Sequence, residues 1–477
     1  MRLLKAFSKY AIGTVLVLII GFITTPILTR LITTSEMGKY SMFMTLGNLI
    51  FTLLCLGMDQ SYLRFYNDEK EESRNYLLRT CIKLPIMACI ICSIVIIALY
   101  KPVSVYISGE TSIGIACLFI VYMGSLIIDR FWTLKIQMAQ KEIAYSALNV
   151  VRKLVYLVSA LLLITVGVCK NSTNLMLAIT IAELVVLLVA YIVERGNWKI
   201  QKREIQMDFT TLFKYGFPFA FASTITLFFH STDKIMLKAL SDYHNIGIYS
   251  GAQNIVNLLS QAQAIFVAFW TPTSYEHYSK HPEDKDFYIM INKIVSYGML
   301  IILIALICCK DIVVFLLGAD YRDAAFVFPF LAFMPVMTTI SETTVMGINF
   351  KKKTRYHITI SIISMIVNAI GNYFLILRFG ATGAAISTGL SYSVFFVLRT
   401  YFAQKAFPID FALKRYAVAT VLVYGLAIYA SFSNVNFSFL FTACIITVII
   451  SLLYKDIITE TYQWLIRTWR RRKQHGK

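Results

Sequence analysis

Charge is scarce in this sequence, and negative charge is scarcer still. Of 477 residues only 15% are charged, with 26 acidic against 45 basic side chains and a formal net charge of +19. A soluble domain carries charge on roughly a quarter of its residues, so a water-facing surface for a chain of this length is excluded. Long polar stretches are missing as well. The segments around Arg195 to Lys214 and Trp270 to Phe287 are among the longest between apolar runs, and neither is long enough to fold as a domain. Function is thereby confined to a membrane or its surface. No Walker-type glycine loop, HExxH, GxSxG elbow or paired-cysteine metal spacing occurs, which argues against direct ATP hydrolysis and against the common hydrolase chemistries. The nine cysteines are odd in number and fall mostly inside apolar runs, so they are expected as small buried hydrophobes.

What remains is apolar. Hydrophobic residues make up 58% of the chain and the mean hydropathy is +0.67. Runs of about 20 apolar residues, each long enough for a bilayer core of roughly 30 Å, recur at 10–29, 39–59, 80–100, 112–133, 144–168, 174–193, 213–238, 246–270, 288–308, 323–347, 357–377, 382–403, 414–432 and 436–454. The expected fold is an all-α polytopic membrane protein of about fourteen transmembrane helices. Lys and Arg set its orientation: 34 of the 45 lie in the N-terminal segment, alternate loops and tail on one side, against 9 on the other. The excess places both termini in the cytoplasm. Because the basic residues are scattered in short segments, nucleic acid is not an expected partner. The lipid bilayer is.

An internal echo divides the chain. Gly38-Lys39-Tyr40-Ser41 returns as Gly247-Ile248-Tyr249-Ser250, and Asn48-Leu49 returns at the same spacing as Asn257-Leu258. Repeats of this kind point to two structural halves. The expected division is a six-helix bundle over 1–205, a second over 206–408 related to it as a parallel repeat, two further helices over 409–456, and a basic amphipathic cytoplasmic tail over 457–477. In the tail Ile458, Tyr462, Leu465 and Trp469 share a helical face beside Arg467, Arg470, Arg471, Arg472 and Lys473, a pattern suited to an anionic membrane surface.

Charges inside spans are costly, at least roughly 2.5–3.5 kcal/mol near a helix centre, and so each needs a partner or a watery cavity. Arg152 and Lys153 lie about two turns into the fifth span. Their long side chains can meet a phosphate or reach back to the cytoplasmic interface. Glu183, nearer mid-span in the sixth helix, either pairs with a cation of the fifth or titrates in proton coupling. Asp233 and Lys234 stand toward the outer end of the seventh span, as Arg30 does in the first, where an interfacial role competes with a site. Asp129-Arg130, Glu342 and Arg399 form a second group, with Glu342 placed to balance Lys351-Lys352-Lys353. Ser223, Thr226, His230 and Asp233 share one face of the seventh helix and are expected to look across a cavity toward the first span. Asn254, Asn257 and Gln261 stripe the eighth span and Ser361, Asn368 and Asn372 the eleventh. These polar groups, with Asn48, serve interhelical hydrogen bonds or a sugar-lined cavity equally well.

The order of Tyr215-Gly216-Phe217-Pro218, Asp233-Lys234, Gly247-Ile248-Tyr249-Ser250, Leu316-Leu317-Gly318-Ala319-Asp320-Tyr321 with Ala324-Ala325, and Gly380-Ala381-Thr382-Gly383-Ala384-Ala385 resembles the lipid-linked oligosaccharide flippases of the Wzx type. These are polysaccharide transporters of the multidrug/oligosaccharidyl-lipid/polysaccharide exporter superfamily. The resemblance spans essentially the whole chain. It implies two six-helix bundles around a cavity that opens alternately to either side of a bacterial cytoplasmic (inner) membrane. The implied substrate is an undecaprenyl-diphosphate-linked glycan destined for O-antigen, capsule or exopolysaccharide, with polysaccharide polymerase and chain-length machinery as further partners. On that reading Arg152, Lys153, Arg30 and Lys234 are the headgroup ligands, and Glu183, Asp233, His230, Asn257, Asn48 and Glu342 are cavity or coupling residues. No cofactor or metal is expected; coupling to H+, to Na+ or to the membrane potential stays open. The competing readings are a multidrug or small-cation exporter of the same superfamily, whose cavity would be predominantly acidic, and a membrane glycan polymerase, which would need a sizeable external loop.

Overall fold

The computed structural model describes residues 2–166, 170–194, 208–353, 355–457 and 459, with the side chains of 2–12 and 14 set aside. Cys169, the 195–207 segment and, apart from Ile457 and Thr459, the expected amphipathic tail lie outside the described residues.

Helices follow the apolar runs. They are α1 (Arg2–Leu31), α2 (Thr34–Cys55), α3 (Met58–Phe65), α4 (Arg74–Ala98), α5 (Tyr100–Ser108), α6 (Ile113–Met138), α7 (Glu142–Val166), α8 (Ser172–Val193), α9 (Phe209–Leu240), α10 (Tyr243–Lys280), α11 (Lys285–Cys308), α12 (Lys310–Phe315), α13 (Ala324–Leu331), α14 (Phe333–Thr344), α15 (Met346–Phe350), α16 (Arg355–Ala406), α17 (Leu413–Phe432) and α18 (Phe437–Leu453). Polar caps begin many of them: Ser112, Asn171, Asp208, Asp284 and Asn436 each accept a backbone N–H from three residues on, which satisfies one donor that the helix leaves open. Among the described residues nine helices are long and apolar enough to cross a membrane, and a tenth span forms if α2 and α3 count as one bent pair. One of the nine, α16, runs 52 residues across a break at Gly380 (φ 54°, ψ −127°) and covers both the eleventh and twelfth expected spans.

Large apolar side chains face outward, as a lipid medium allows: Ile91 and Ile94 are 63% exposed and Val421 70%. Cys117, Cys309 and Cys444 are exposed too, and among the described residues only Cys55, Cys81 and Cys89 are buried. Burial within protein was the wrong expectation for most of them, because hydrocarbon accepts a thiol without it.

Packing divides the chain into two compact units, Met1–Ser250 and Gly251–Lys477. In the first, α7 lies against α8 and α1, α6 against α8 and α4, and α9 against α2 and α3. Phe43 of α2 meets Phe119 and Tyr122 of α6 with ring centroids 5.3 and 5.0 Å apart. In the second unit α14 lies against α16 and α11. The window formed by α13 and α14 is 83% buried, the most enclosed of the candidate spans. A further core of this unit gathers Trp270, Tyr288 and Ile348. In the same unit α17 and α18 pack on α11, where Asp456 joins Arg415 at 2.9 Å and Lys293 at 3.2 Å. Partial burial works against that carboxylate, but the hydrogen bonds from Arg415 and Lys293 outweigh it and hold the group below its ordinary range.

The packing boundary at Ser250 and the repeat boundary near residue 206 are different quantities. The first records which helices touch, and the second where the duplicated pattern restarts. Within the first unit the two copies of the repeat touch each other. Ser250 Oγ donates to Ser41 Oγ at 2.7 Å, across a separation of 209 residues, and Thr34 Oγ1 lies 2.6 Å from His244 Nδ1. A Cβ on Gly38 would sit 1.9 Å from the Tyr243 carbonyl oxygen, and one on Gly247 would sit 1.8 Å from that of Thr34. The two contacts exchange under the same offset, so the copies are related by a local two-fold. Only glycine permits this approach. Alanine at Gly38 or Gly247 is therefore expected to cost about 1–3 kcal/mol through overpacking, read as a lower melting temperature in detergent. Gly21, with open space around it, is the control: Gly21→Ala should melt no lower than the parent, and equal melting of all three variants would show that the contact does not hold the helices.

Candidate functional site

The strongest polar construction lies in the first unit, on α6. Successive residues of a helix point about 100° apart, so Asp129 and Arg130 serve different neighbours. Asp129 Oδ2 accepts from Arg152 Nη2 of α7 at 2.6 Å. The same guanidinium donates through Nε to Glu183 of α8 at 3.2 Å and through Nη1 to Asn149 Oδ1 at 3.0 Å. These side chains are well covered, 21% exposed for Arg152, 12% for Asp129 and 5% for Glu183. Arg130 turns the other way, donating through Nη2 and Nε to Asp59 Oδ2 of α3 at 2.7 and 3.1 Å. A turn further along α6, Lys135 Nζ stands 3.5 Å from Glu194 at the end of α8, and Lys141 bonds the same carboxylate.

The structure thus gives Glu183 a cation of the fifth span as its partner. It also fixes Arg152 between two carboxylates. One guanidinium against two carboxylates leaves an excess negative charge, and Asp129 Oδ1 is buried without a hydrogen-bond partner. Lys153, next in sequence, is exposed and makes no ion pair among the described residues. Lys234 on α9 is half-buried and likewise unpaired, and Arg30 is exposed at the end of α1. Asp233 accepts from Tyr249 of the second repeat copy at 2.6 Å. Asn48 sits half-buried on α2.

On α9, Ser223 lines a cavity of about 220 Å3 shared with Asp59, Gln60 and Arg130. The expected view toward the first span is replaced there by a view of the bend between α2 and α3. Thr226 and His230 are exposed, with the Thr226 hydroxyl donating to Ala222 O. The remaining candidates belong to the second unit. Asn257 accepts from Gln253 at 3.1 Å. Glu342 holds Arg399 at 2.8 Å, and its carbonyl accepts Trp270 Nε1 at 3.0 Å, so its partner is a span cation instead of the lysine cluster. Asp59 and Gln60 were not among the sequence candidates. The available signal was a glycine followed two and three residues on by a carboxylate and an amide, Gly57-Met58-Asp59-Gln60, at the end of an apolar run. Among the described residues no three His, Cys, Asp or Glu side chains are grouped to hold a metal.

This architecture is shared with solved structures. The lipid II flippase MurJ in an inward closed conformation matches 96% of this chain and 99% of its own, with a TM-score of 0.70 at 13% identity. A multidrug resistance MATE family transporter in an inward-facing conformation matches 84% of this chain with a TM-score of 0.56, also at 13% identity. The fold is therefore a MurJ- and MATE-like multi-span helical fold. The chain belongs to the polysaccharide biosynthesis protein family, whose profile matches residues 3–277. Its family and structural neighbours are flippases and transporters, not enzymes. It is similar as well to the probable low-salt glycan biosynthesis flippase Agl15 of Haloferax volcanii, 21% identical with 91% of this chain and 92% of that protein covered. An uncharacterized membrane protein of Methanocaldococcus jannaschii is 23% identical over 81% of each chain.

Removing one member of a buried ion pair leaves its partners uncompensated. Arg152→Met is expected to cost about 3–5 kcal/mol, seen as lower yield and melting temperature in detergent. Adding Asp129→Asn and Glu183→Gln should restore most of the loss. A triple variant as unstable as the single one would mean that Arg152 acts through packing and not charge.

Proposed function

We propose that this protein is a flippase for lipid-linked glycans, carrying an undecaprenyl-diphosphate-linked oligosaccharide from the cytoplasmic to the outer leaflet of a bacterial inner membrane by alternating access, with both termini cytoplasmic. The observation that carries the reading is a charged, hydrogen-bonded network inside an apolar helical body of the polysaccharide biosynthesis family. The named relative Agl15 supports it over nearly the whole chain, and MurJ supports it through the fold.

The physical demands of the task fit the residues. A diphosphate needs cations that are not already committed. Arg152 is held by Asp129 and Glu183; in this reading it positions α7, while Lys153, Lys234 and Arg30 are the headgroup cations. Outward movement of an anion from a cell interior negative by 100 mV gains roughly 2.3 kcal/mol per charge, or about 4.6 for two charges crossing the full field. A coupling ion is consequently not obligatory. The surplus carboxylate of the Asp129, Arg152 and Glu183 group is where H+ or Na+ coupling would act if it operates.

The fold likeness to multidrug transporters supports one alternative, export of a small cationic drug. In the flippase reading, deletion in a host that depends on this protein abolishes its surface glycan, and Lys153→Ala or Lys234→Ala lowers export roughly tenfold at unchanged protein level, as expected for loss of a charge-assisted contact. Normal glycan in both variants would remove these cations from the site. Normal glycan in the deletion strain, with altered drug susceptibility, would establish the alternative.

A further inference from the structure

The second span is broken where an unbroken helix would cross equally well. Leu56 and Gly57 both take positive φ, 50° and 72°, and α2 meets α3 at 57°. Irregular backbone at membrane depth is tolerated where it lines a cavity, and discontinuous helices build substrate sites in transporters. Here the break delivers Asp59 and Gln60 into the first turn of α3, beside the cavity of about 220 Å3. That is roughly seven times the ~30 Å3 a water molecule occupies in the liquid.

The lining has a definite chemistry. Asp59 is only 9% exposed. Its Oδ2 collects both contacts from Arg130 and a third from Gln60 Nε2 at 2.9 Å, which leaves Oδ1 with no hydrogen-bond partner among the described residues. Thr52 and Ser223 add hydroxyls, and Phe51 adds an aromatic wall. Asp59 and Arg130 cancel in formal charge. A phosphate here would meet a carboxylate beside its one cation, and a metal ion would meet a guanidinium. A neutral polyhydroxyl ring suits every group: its hydroxyls donate to Asp59 Oδ1 and accept from Arg130 and Gln60, and its C–H face packs on Phe51.

We infer that this cavity is a carbohydrate subsite, holding one sugar ring of the transported glycan apart from the cations that meet its diphosphate. The inference rests on the flippase reading. It assigns Gln60, Ser223 and the Asp59 and Arg130 pair to glycan selectivity, and it accounts for the broken span. Because Asp129 and Arg130 are neighbours on α6, the same helix fixes the Arg152 network with one residue and the sugar subsite with the next.

The test uses the full-length protein in lipid nanodiscs and two probes: lipid-linked oligosaccharide extracted from host cells lacking this protein, and bare undecaprenyl diphosphate. Gln60→Ala removes one polar wall. Ser223→Phe fills the cavity from an exposed position. Each is expected to weaken binding of the glycan-bearing lipid roughly tenfold, the effect of losing a hydrogen bond to the ligand, with binding of the bare lipid held within about twofold. Equal loss of both probes, no loss of either, or wild-type protein that binds the bare lipid as tightly as the glycan-bearing one would overturn the subsite. Wild-type protein that binds neither probe would instead overturn the flippase reading. Among the described residues Gln60 has only its neighbour Asp59 as a side-chain partner, so Gln60→Ala keeps the test valid if the phenylalanine variant fails to fold.

Discussion

A charge held inside a bilayer must be answered within reach of its own side chain, because hydrocarbon offers no water to solvate it. Much of the polar construction of the first unit follows from this one demand. Helix α6 carries Asp129, Arg130 and Lys135 within two turns, and each finds its opposite charge on a different element: Arg152 of α7, Asp59 of α3 and Glu194 at the end of α8. The helix is pinned on three sides by pairs that tolerate little sliding, since separating a buried pair costs more than forming it gains. In the second unit Arg399 and Glu342 meet the same demand between α16 and α14. Apolar packing then needs only to fill the remaining volume, a modest task when lipid competes for the same surfaces.

The duplication has a mechanical consequence. Two segments alike in sequence, each offering a glycine where the other offers a carbonyl, can approach until backbones touch. Ser41 and Ser250 close the contact as an equivalent pair. A contact made of one motif used twice needs a single surface to be compatible with itself, which is how an isologous interface works between subunits. Small residues at a helix crossing also leave no long side chains to repack when the angle changes. A crossing of that kind is suited to helices that must tilt against each other in alternating access.

Much of this was legible in the residues, and the gaps have physical causes. Apolar runs of bilayer length located the helices because in lipid every backbone group must bond within its own segment. The cost of an intramembrane charge singled out Arg152 and Glu183, and the 31 residues between them are bridged, which is one of the two roles the sequence left open for Glu183. Asp59 escaped notice for a different reason. A carboxylate at the end of an apolar run reads as interfacial, and the arginine that holds it lies 71 residues away. The break before it is equally hard to see, since Leu-Gly-Met continues a hydrophobic run without a polar interruption. Hydropathy was also blind to the difference between the enclosed α13 and α14 window and the lipid-facing helices, as both environments select the same side chains. The view of Ser223 was misjudged because helical periodicity fixes which residues share a face and leaves open what that face meets.

The separation of charge types bears on how a flippase can hold a large substrate and still release it. If cations and sugar ligands were one cluster, the protein would bind the diphosphate at full strength in every conformation. Turnover would then wait on dissociation. In the proposed arrangement the anionic headgroup responds to the membrane potential, which favours outward movement whatever the sugar. The glycan is read by an internally neutral set in which each hydrogen bond has a modest net value, about 0.5–1.5 kcal/mol. Modest contacts discriminate between glycans through the polar groups they would leave unpaired, yet they do not anchor the correct one. The ion pair of Asp59 and Arg130 suits this because each partner is already satisfied by the other when the cavity is empty. The sugar subsite of the empty transporter thus returns with its two charges paired, and that return is the half of the cycle in which no substrate is present to help.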